Sequence, residues 1–169
     1  MNFEKLGRHH DRASFDCGVE SVTTYLRQNA RQQAEKGLAL TFVLVQEPGG
    51  SEIVGFYTLL MNTIACSILP GKGLPRHQDA PVVLLAQFGV DRRHQGRGHG
   101  KRILYHALYQ ALVAAEHVGC LAVVLDAVDD QARAFYLARG FRELGHPHHL
   151  WLPMSAIRDM FAAGLPDGP

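Results

Sequence analysis

The chain has 169 residues, 47% of them hydrophobic, and a formal net charge of +1 at pH 7. This length predicts a single domain with a genuine core, which we assign to residues 1–163, followed by a frayed tail at 164–169. No apolar stretch approaches the length that spans a membrane, and charged residues from Arg8 to Arg12 interrupt any secretory signal. We therefore expect a soluble, cytoplasmic protein, while the balanced charge neither indicates nor excludes a nucleic-acid partner.

Cysteine and histidine content argues against a disulfide framework and against a metal site. Three cysteines are widely spaced and odd in number, so we predict reduced thiols. Ten histidines include His146, His148 and His149, which surround a proline in a predicted turn. A metal site requires ligands at fixed helical or hairpin spacing, and we predict none.

The first predicted elements are a strand at 2–6 and an amphipathic helix from Val19 to about Asn29, with Gly37 ending the helical region. The outer side of this helical stretch is partly basic. Strands at Leu38–Gln46 and Glu52–Met61 follow, joined by a flexible hairpin connection.

The centre of the chain predicts a strand, a glycine turn and a long helix. Residues 81–90 are too apolar for a solvent-facing edge strand, and apolar residues from Ile103 to Ala115 recur at helical spacing. Between them lies Gln95–Gly100 (QGRGHG). A helix N-terminus presents unpaired N–H groups and partial positive charge, glycines let an anion approach, and Arg97 and Lys101 add cations. The unit predicts a phosphate-binding site.

The glycine spacing argues against two common classes of phosphate-binding motif. A dinucleotide fold would show G-x-G-x-x-G, whereas this turn reads G-x-G-x-G, and no Walker-type Gly-Lys-Ser/Thr follows. Taken alone, the turn is also compatible with an ordinary helix cap.

A second motif follows about thirty residues later. The run Leu121–Leu125 predicts a buried strand, and Asp129 begins DDQARAFYLARGF, where it can cap a short helix that Gly140 ends. A closing hairpin at 142–152 and a helix from Ser155 to Phe161 complete the predicted elements.

These two motifs resemble those of the GNAT N-acetyltransferase superfamily. Gln95-x-x-Gly98-x-Gly100, after a strand ending in Val90-Asp91, is similar to its acetyl-CoA motif. The pattern Ala-x-x-Phe-Tyr-x-x-x-Gly-Phe around Tyr136 is similar to its second motif, with an aspartate at 129 where the family normally has asparagine. The resemblance implies a mixed α/β (α+β) sheet whose central parallel strands splay apart.

The resemblance also implies site residues. It implies acetyl-CoA as co-substrate, Tyr136 as the general acid and the Val90 N–H as the oxyanion donor. The implied acetyl-CoA contacts are Phe88 and Val90 for the pantetheine and Gly96, Gly98, Gly100 and Lys101 for the pyrophosphate, flanked by Gln95 and Arg97. An amino group with a pKa of about 7.7–8.0 is partly neutral at pH 7, so we assign no general base.

Several further segments resemble one branch, the GNAT toxins of bacterial toxin–antitoxin pairs. These segments are Phe15–Gly18, Val54–Leu59, Leu74-Pro75, Ala80–Leu85, Val90–Gly98, Asp126-Ala127 and Leu152–Met154. This branch implies acetylation of the amino group of aminoacyl-tRNA, a ribbon-helix-helix antitoxin partner and a homodimer. Phosphate contacts to RNA would then fall to Arg27, Arg31, Arg92 and Arg93, with Lys72 and Arg76 as further candidates.

Two other functions remain open at this point. One is an acetyltransferase for a small amine or a peptide N-terminus, and the other is a non-catalytic acyl-CoA-binding module, against which Tyr136 argues. The sequence does not identify the acceptor amino acid, the tRNA or the oligomeric state. A ribbon-helix-helix gene immediately upstream would favour the toxin.

Overall fold

The computed structural model describes residues 1–70 and 73–164. Its strands are β1 Asn2–Lys5, β2 Leu40–Val45, β3 Ile53–Ala65, β4 Asp79–Val90, β5 Ala122–Asp126, β6 Arg142–Leu144 and β7 His146–Pro153. Its α-helices are α1 Glu20–Thr24, α2 Ala30–Glu35, α3 His99–His117, α4 Asp130–Leu137 and α5 Met154–Ala162. A π-helical turn, Tyr25–Asn29, joins α1 to α2, and short 3₁₀ turns lie at Cys66–Ile68 and Arg92–His94.

The strands form a mixed sheet. Within the described residues they hydrogen-bond in the order β1-β2-β3-β4-β5-β7-β6. β4 and β5 are parallel, with Val83 opposite Val123 and Leu84 opposite Val124, whereas β5 pairs with β7 and β6 with β7 in antiparallel register. The prediction of a mixed α/β fold with a central parallel pair is confirmed.

The first of two compact units contains residues 1–60 and 85–107. Its apolar cluster joins α1 and α2 to β2 and β3 and consists of Phe15, Cys17, Val22, Leu26, Ala30, Val43, Val45, Ile53 and Phe56. Successive strand residues face opposite sides, so Tyr57 lies on the other face, where its hydroxyl is 2.7 Å from Nδ1 of His106. Each fully buried leucine or phenylalanine stabilises the fold by about 1.5–3 kcal/mol.

The second unit contains residues 61–84 and the chain from 108 onward. Its apolar cluster consists of Cys66, Leu69, Ala80, Val82, Ala122, Val124, Leu144 and Trp151. Both α4 and α5 pack against β7. No helix in the described part of the chain is long and apolar enough to cross a membrane.

Apart from shifts at element ends, such as β3 continuing to Ala65 and β4 starting at Asp79, the structure departs from the predicted elements in two places. The helical region after Val19 contains the π turn, which periodicity alone does not distinguish from regular helix. The predicted turn at His146–His149 was wrong, because the chain turns one residue earlier, at Gly145 with φ of +70°, and β7 starts at His146. Lys72 and nearly all of the predicted frayed tail lie outside the described residues.

Candidate active site

The glycine turn forms an open cradle at the start of α3. Gly96 and Gly98 have positive φ values of 74° and 79°, a conformation that other L-residues adopt only with strain. A Cβ at either position would meet nothing within 4 Å, so the space above the backbone is open. Because α3 begins at His99, its first N–H groups lack intrahelical partners and carry the positive end of the helix dipole. Such a geometry can accept an anionic group.

Two cations stand beside this cradle. Arg97 is exposed in the turn, and the Lys101 ammonium lies 5.8 Å from the centroid of the Tyr105 ring. Arg102 points elsewhere, since its guanidinium donates to the Met1 carbonyl at 2.9 Å. Burial, together with the nearby positive charges, lowers the pKa of His99, so the positive charge at the helix start comes from Arg97 and Lys101.

The end of β4 is closed on one face and partly open on the other. A Cβ at Gly89 would lie 3.3 Å from the Cys17 sulfur and 3.2 Å from a Val22 methyl, so this face packs tightly. Phe88 and Val90 point to the opposite face because strand residues alternate, and both are half-buried. The two predicted pantetheine contacts therefore share one side of the strand.

Gln95 ties the turn to its surroundings. Its side-chain amide donates to the carbonyls of Val90 and Cys17, both at 2.9 Å. Gln95 is predicted to flank the pyrophosphate, and in the structure its amide nitrogen also holds the turn against the loop that contains Cys17. That pairing joins residues far apart in the chain, and no local sequence pattern indicates it.

A buried carboxylate fixes the 3₁₀ turn between β4 and the glycines. Asp91 accepts from the Arg93 main-chain N–H at 2.9 Å, from its guanidinium at 2.8 and 3.1 Å, and from the Asp16 N–H at 3.1 Å. Burial alone would raise the pKa of Asp91, but these hydrogen bonds outweigh it and hold that pKa below its ordinary range. Arg93 also pairs with Glu52 at 3.1 Å, so this arginine serves the fold.

The other three arginines predicted to contact RNA also bind protein atoms. Their partners are the Phe15 carbonyl for Arg27 at 3.0 Å, the Glu35 carboxylate for Arg31 at 3.7 Å and the Asp16 carboxylate for Arg92 at 3.5 Å. The Arg92 side chain is nevertheless 64% exposed and that of Arg31 is 40% exposed. Solvent-exposed ion pairs are weak, so a stronger anion can displace the carboxylates of these two.

In the second unit, Tyr136 lies on α4 and is buried. The side chain of Asp129 caps this helix by accepting from the Ala132 N–H at 2.7 Å, as the motif predicts. The Tyr136 ring meets Phe135 and Phe141 edge to face, with centroids 5.2 and 5.5 Å away. Burial raises the pKa of Tyr136, so its hydroxyl keeps its proton at neutral pH and can serve as a donor.

Two histidine–aspartate pairs in the same unit were not predicted. Asp126, the last residue of β5, stands opposite His149 of β7, and its carboxylate lies 2.7 Å from His149 Nδ1. The Asp130 carboxylate lies 3.0 Å from His148 Nε2. Both pairs depend on the register of β7, and these histidines were predicted to lie in a turn, where no strand register applies.

An open polar groove in the first unit was also missed. It is a shallow depression of about 740 Å³, open to solvent and lined by Glu20, Ser21, Thr24, Tyr25, Asn29 and Gln87. Three of these residues belong to the π turn or directly precede it, and π-helical segments are frequent at functional sites. Gln87 belongs to β4, three residues before Val90.

One group among the described residues has a geometry compatible with a metal ion. Glu4, His9 and His10 bring ligand atoms within 4.8 Å of one another. However, the Gly7 N–H donates to His10 Nδ1 at 2.8 Å, so the neutral imidazole carries its proton on Nε2, the nitrogen 3.4 Å from the Glu4 carboxylate. A nitrogen that carries a proton does not ligate a metal, and the residues do not fit one.

Comparisons with known proteins agree with the fold and the site described above. The model of the acetyltransferase (GNAT) family matches residues 8–141. The tRNA-acetylating toxin of Mycobacterium tuberculosis is 35% identical over 150 residues, which covers 88% of this chain and 89% of the relative. Among solved structures, AtaT complexed with acetyl-methionyl-tRNAfMet has a TM-score of 0.86 at 26% identity and covers 95% of this chain and 98% of its own. AtaTR bound with AcCoA has a TM-score of 0.84 at 26% identity, with coverages of 95% and 97%. The family match includes both the glycine turn and Tyr136.

Proposed function

The chain belongs to the acetyltransferase (GNAT) family, and from this premise we propose that it transfers acetyl groups to the amino group of aminoacyl-tRNA and so blocks translation. It is an N-acetyltransferase that uses acetyl-CoA. The observation that supports tRNA as the acceptor is the 35% identity, over nearly the full length of both chains, to a tRNA-acetylating toxin.

Acetyl-CoA binding is assigned to the cradle at the start of α3. The pyrophosphate would sit on Gly96, Gly98, Gly100 and Lys101, with Arg97 at its edge. The open geometry at Gly96 and Gly98 supports this assignment, because the pyrophosphate could then approach the main-chain N–H groups directly. The pantetheine arm would pair with the backbone of β4 at Phe88 and Val90.

The chemistry requires an oxyanion donor and a proton for the leaving thiolate. We assign the first role to the main-chain N–H of Val90 and the second to the Tyr136 hydroxyl. The buried, protonated state of Tyr136 supports the second assignment, and its packing between Phe135 and Phe141 fixes the ring.

The groove beside the π turn is the proposed entrance for the acceptor. Its lining contains hydroxyl, phenol and amide groups and a single carboxylate, Glu20. Such a lining suits a polar group that carries an amine. Arg31 and Arg92 remain our proposed RNA contacts, because their carboxylate partners are weakly held. Arg27 and Arg93 would act through the fold, since each is bound to internal acceptors.

A toxin of this class needs a partner that silences it. We propose a ribbon-helix-helix antitoxin as that partner, a homodimer as the active assembly and the cytoplasm as the location. Co-expression with the gene immediately upstream should relieve a growth arrest caused by this protein. Light scattering of the purified protein should give twice the mass of the 18.7 kDa chain.

The test of the acceptor uses acetyl-CoA labelled in its acetyl group. The protein is incubated with a total aminoacyl-tRNA pool and, as a matched control, with the same pool after deacylation. We expect label in RNA only with the charged pool, and mild alkali should release it as N-acetyl amino acids. Label that appears instead on free amines or peptide N-termini, with none on RNA, would contradict the proposal and favour the small-amine or peptide enzyme.

A further inference from the structure

The polar groove beside the π turn lies a defined distance from the proposed oxyanion donor. Gln87 lines this groove and belongs to β4, three residues before Val90. Successive strand residues are about 3.3 Å apart, so the Cα atoms of Gln87 and Val90 are about 10 Å apart. We propose that the groove binds the terminal adenosine of charged tRNA. This inference rests on the proposed acetyl transfer to aminoacyl-tRNA.

The length of the acceptor places its nucleoside at this distance. In a charged tRNA the amino acid is esterified to the ribose of the terminal adenosine. The amine nitrogen is as many bonds from the ribose carbon that bears the ester as a main-chain nitrogen is from the next Cα, which is about 5 Å. The base lies beyond the ribose. When the amine stands at the oxyanion site, the ribose and the adenine can therefore reach Gln87.

The groove and the oxyanion donor belong to the same compact unit. The lining residues come from α1, the π turn and β4, and all of them lie in the unit that also contains Val90. Side chains of β4 alternate between two faces, so Gln87 lies on the face of Gly89. A Cβ at Gly89 would be 3.2 Å from a methyl of Val22, a residue of α1. Gln87 and α1 are therefore two walls of one groove.

Tyr25 provides an aromatic ring that the protein holds in place. Its hydroxyl donates to Gln33 Oε1 at 3.0 Å, and the residue packs against the apolar cluster of this unit. Bases of single-stranded RNA bind proteins largely by stacking on aromatic side chains. Stacking requires one face of the base, so a shallow depression that is open to solvent is sufficient for it.

The side-chain amides of Asn29 and Gln87 are available to the edge of the base. Within the part of the chain that the structure describes, neither amide hydrogen-bonds to another protein group. Gln87 is half-buried, a setting in which a polar group gains from a bound partner. An amide offers both donors and an acceptor, and Asn and Gln are the side chains that pair with adenine through two hydrogen bonds.

The charge of the groove favours a nucleoside over a phosphate. Among the described residues that line the groove, Glu20 is the only one with a charge, and it is exposed. A carboxylate repels a phosphate but accepts a hydrogen bond from a ribose hydroxyl. A carboxylate also attracts a cationic amino-acid side chain, but such an occupant would make turnover depend on the amino acid rather than on the base.

The test uses acceptors that add one part of the charged terminus at a time. They are an amino-acid amide, the same amino acid linked through a stable amide to ribose, the same amino acid linked in this way to adenosine, and charged tRNA. Glycine, methionine and lysine are each used. Release of the CoA thiol gives kcat/KM, and calorimetry gives the affinity for acetyl-CoA. In the wild type we expect kcat/KM to rise at least about tenfold when adenine is added, with the same gain for every amino acid that is acetylated.

Variants of the groove should lose this gain selectively. Tyr25→Leu and Gln87→Met should each lower kcat/KM for the adenosine acceptor at least about tenfold. Turnover of the amide and the affinity for acetyl-CoA should stay at wild-type values, which a general loss of folding would not allow. Gln28→Met is the matched control, because Gln28 is exposed on the same turn and does not line the groove.

Three results would overturn the adenosine assignment. The first is an equal kcat/KM with and without adenine in the wild type. The second is an equal loss of turnover for the amide and the adenosine acceptor in the Tyr25 and Gln87 variants, which would place the amino acid itself in the groove. The third is a parallel loss of acetyl-CoA affinity, which would assign the groove to the adenine of the donor.

Failure of the acceptor proposal is distinguishable from failure of this inference. A gain from adenine without turnover of charged tRNA would overturn the tRNA proposal and keep the nucleoside site. Turnover of charged tRNA at the wild-type rate by both groove variants would keep the tRNA proposal and overturn the nucleoside site. No turnover with any acceptor would overturn both.

Discussion

The side-chain amide of Gln95 donates to the main-chain carbonyl of Val90 at 2.9 Å. This bond joins the residue that starts the glycine turn to the last residue of β4. A second bond from the same amide reaches Cys17. The proposed oxyanion donor and the proposed phosphate cradle therefore lie on one internally bonded segment.

Gln95→Glu tests the hydrogen bonds that the Gln95 amide donates, because it removes them while it keeps the size of the side chain. The carboxylate is nearly isosteric, but it would face two carbonyl oxygens without a proton to donate. We expect the free energy of unfolding to fall by about 0.5–1.5 kcal/mol, as for hydrogen bonds lost at a partly exposed site, and acetyl-CoA affinity to fall. Denaturant titration and calorimetry measure the two effects. Wild-type values for both would remove the supporting role.

Gly100→Asp tests the phosphate cradle without backbone strain. Gly100 lies in the first turn of α3 and is not among the glycines with positive φ, unlike Gly98. An aspartate there suits the helix dipole but repels a pyrophosphate. We expect melting temperature to hold or rise and acetyl-CoA affinity to fall at least about tenfold, equivalent to about 1.4 kcal/mol. Gly100→Ala is the control. If both variants bind acetyl-CoA equally well by calorimetry, no phosphate binds at this helix start.

Tyr136→Phe removes one hydroxyl and keeps the ring packing against Phe135 and Phe141. Loss of a general acid lowers the rate by about 10²–10⁴, so kcat should fall by this factor while acetyl-CoA affinity stays the same. Steady-state kinetics and calorimetry check both expectations. Tyr109→Phe deletes an exposed hydroxyl as the matched control. Equal kcat for the Tyr136 and Tyr109 variants would make Tyr136 a packing residue.

His106 makes folding sensitive to acid. Burial, and to a lesser extent the charge of Arg102, lowers the pKa of His106 to about 4. Its value in the unfolded chain is about 6.5, so the unfolded chain takes up the proton first. Stability should therefore fall as pH decreases from about 6.5 to about 4. His106→Gln cannot titrate and should flatten the melting temperature across this window. Equal slopes for the variant and the wild type would contradict this assignment.

Substitutions at Arg31 and Arg92 test the proposed RNA contacts. Arg93 is left unchanged because it is hydrogen-bonded to Asp91 and its loss would disturb the turn. Changing Arg31 and Arg92 to Gln should weaken charged-tRNA binding and reduce its salt dependence. On a duplex, the logarithm of the binding constant falls with the logarithm of the salt concentration with a slope of about 0.9 per neutralised phosphate. Filter binding at several salt concentrations measures both quantities. Arg142→Gln with Arg158→Gln makes the same change in net charge elsewhere. Identical binding by both double variants would mean that only total charge matters.

Local sequence rules predicted the parts of the site that depend on neighbouring residues. The Asp129 cap and the turn at Gly96 and Gly98 follow from residue preferences within a few positions, and the structure contains both. The bonds from Gln95 to Cys17 and from His149 to Asp126 depend on how distant segments align. Register of this kind is set by packing of the whole sheet, so a single sequence does not reveal it.

The π turn between α1 and α2 has a consequence for the length of this helix. The Ala30 N–H donates to the Tyr25 carbonyl five residues earlier, which takes one more residue into the turn than a regular α-helix does. The chain thus carries the equivalent of a one-residue insertion. Deletion of this extra residue would rotate the helix that follows by about 100°, because an α-helix has 3.6 residues per turn. Ala30 would then leave the apolar cluster. The number of residues in this segment is therefore as constrained as their identity.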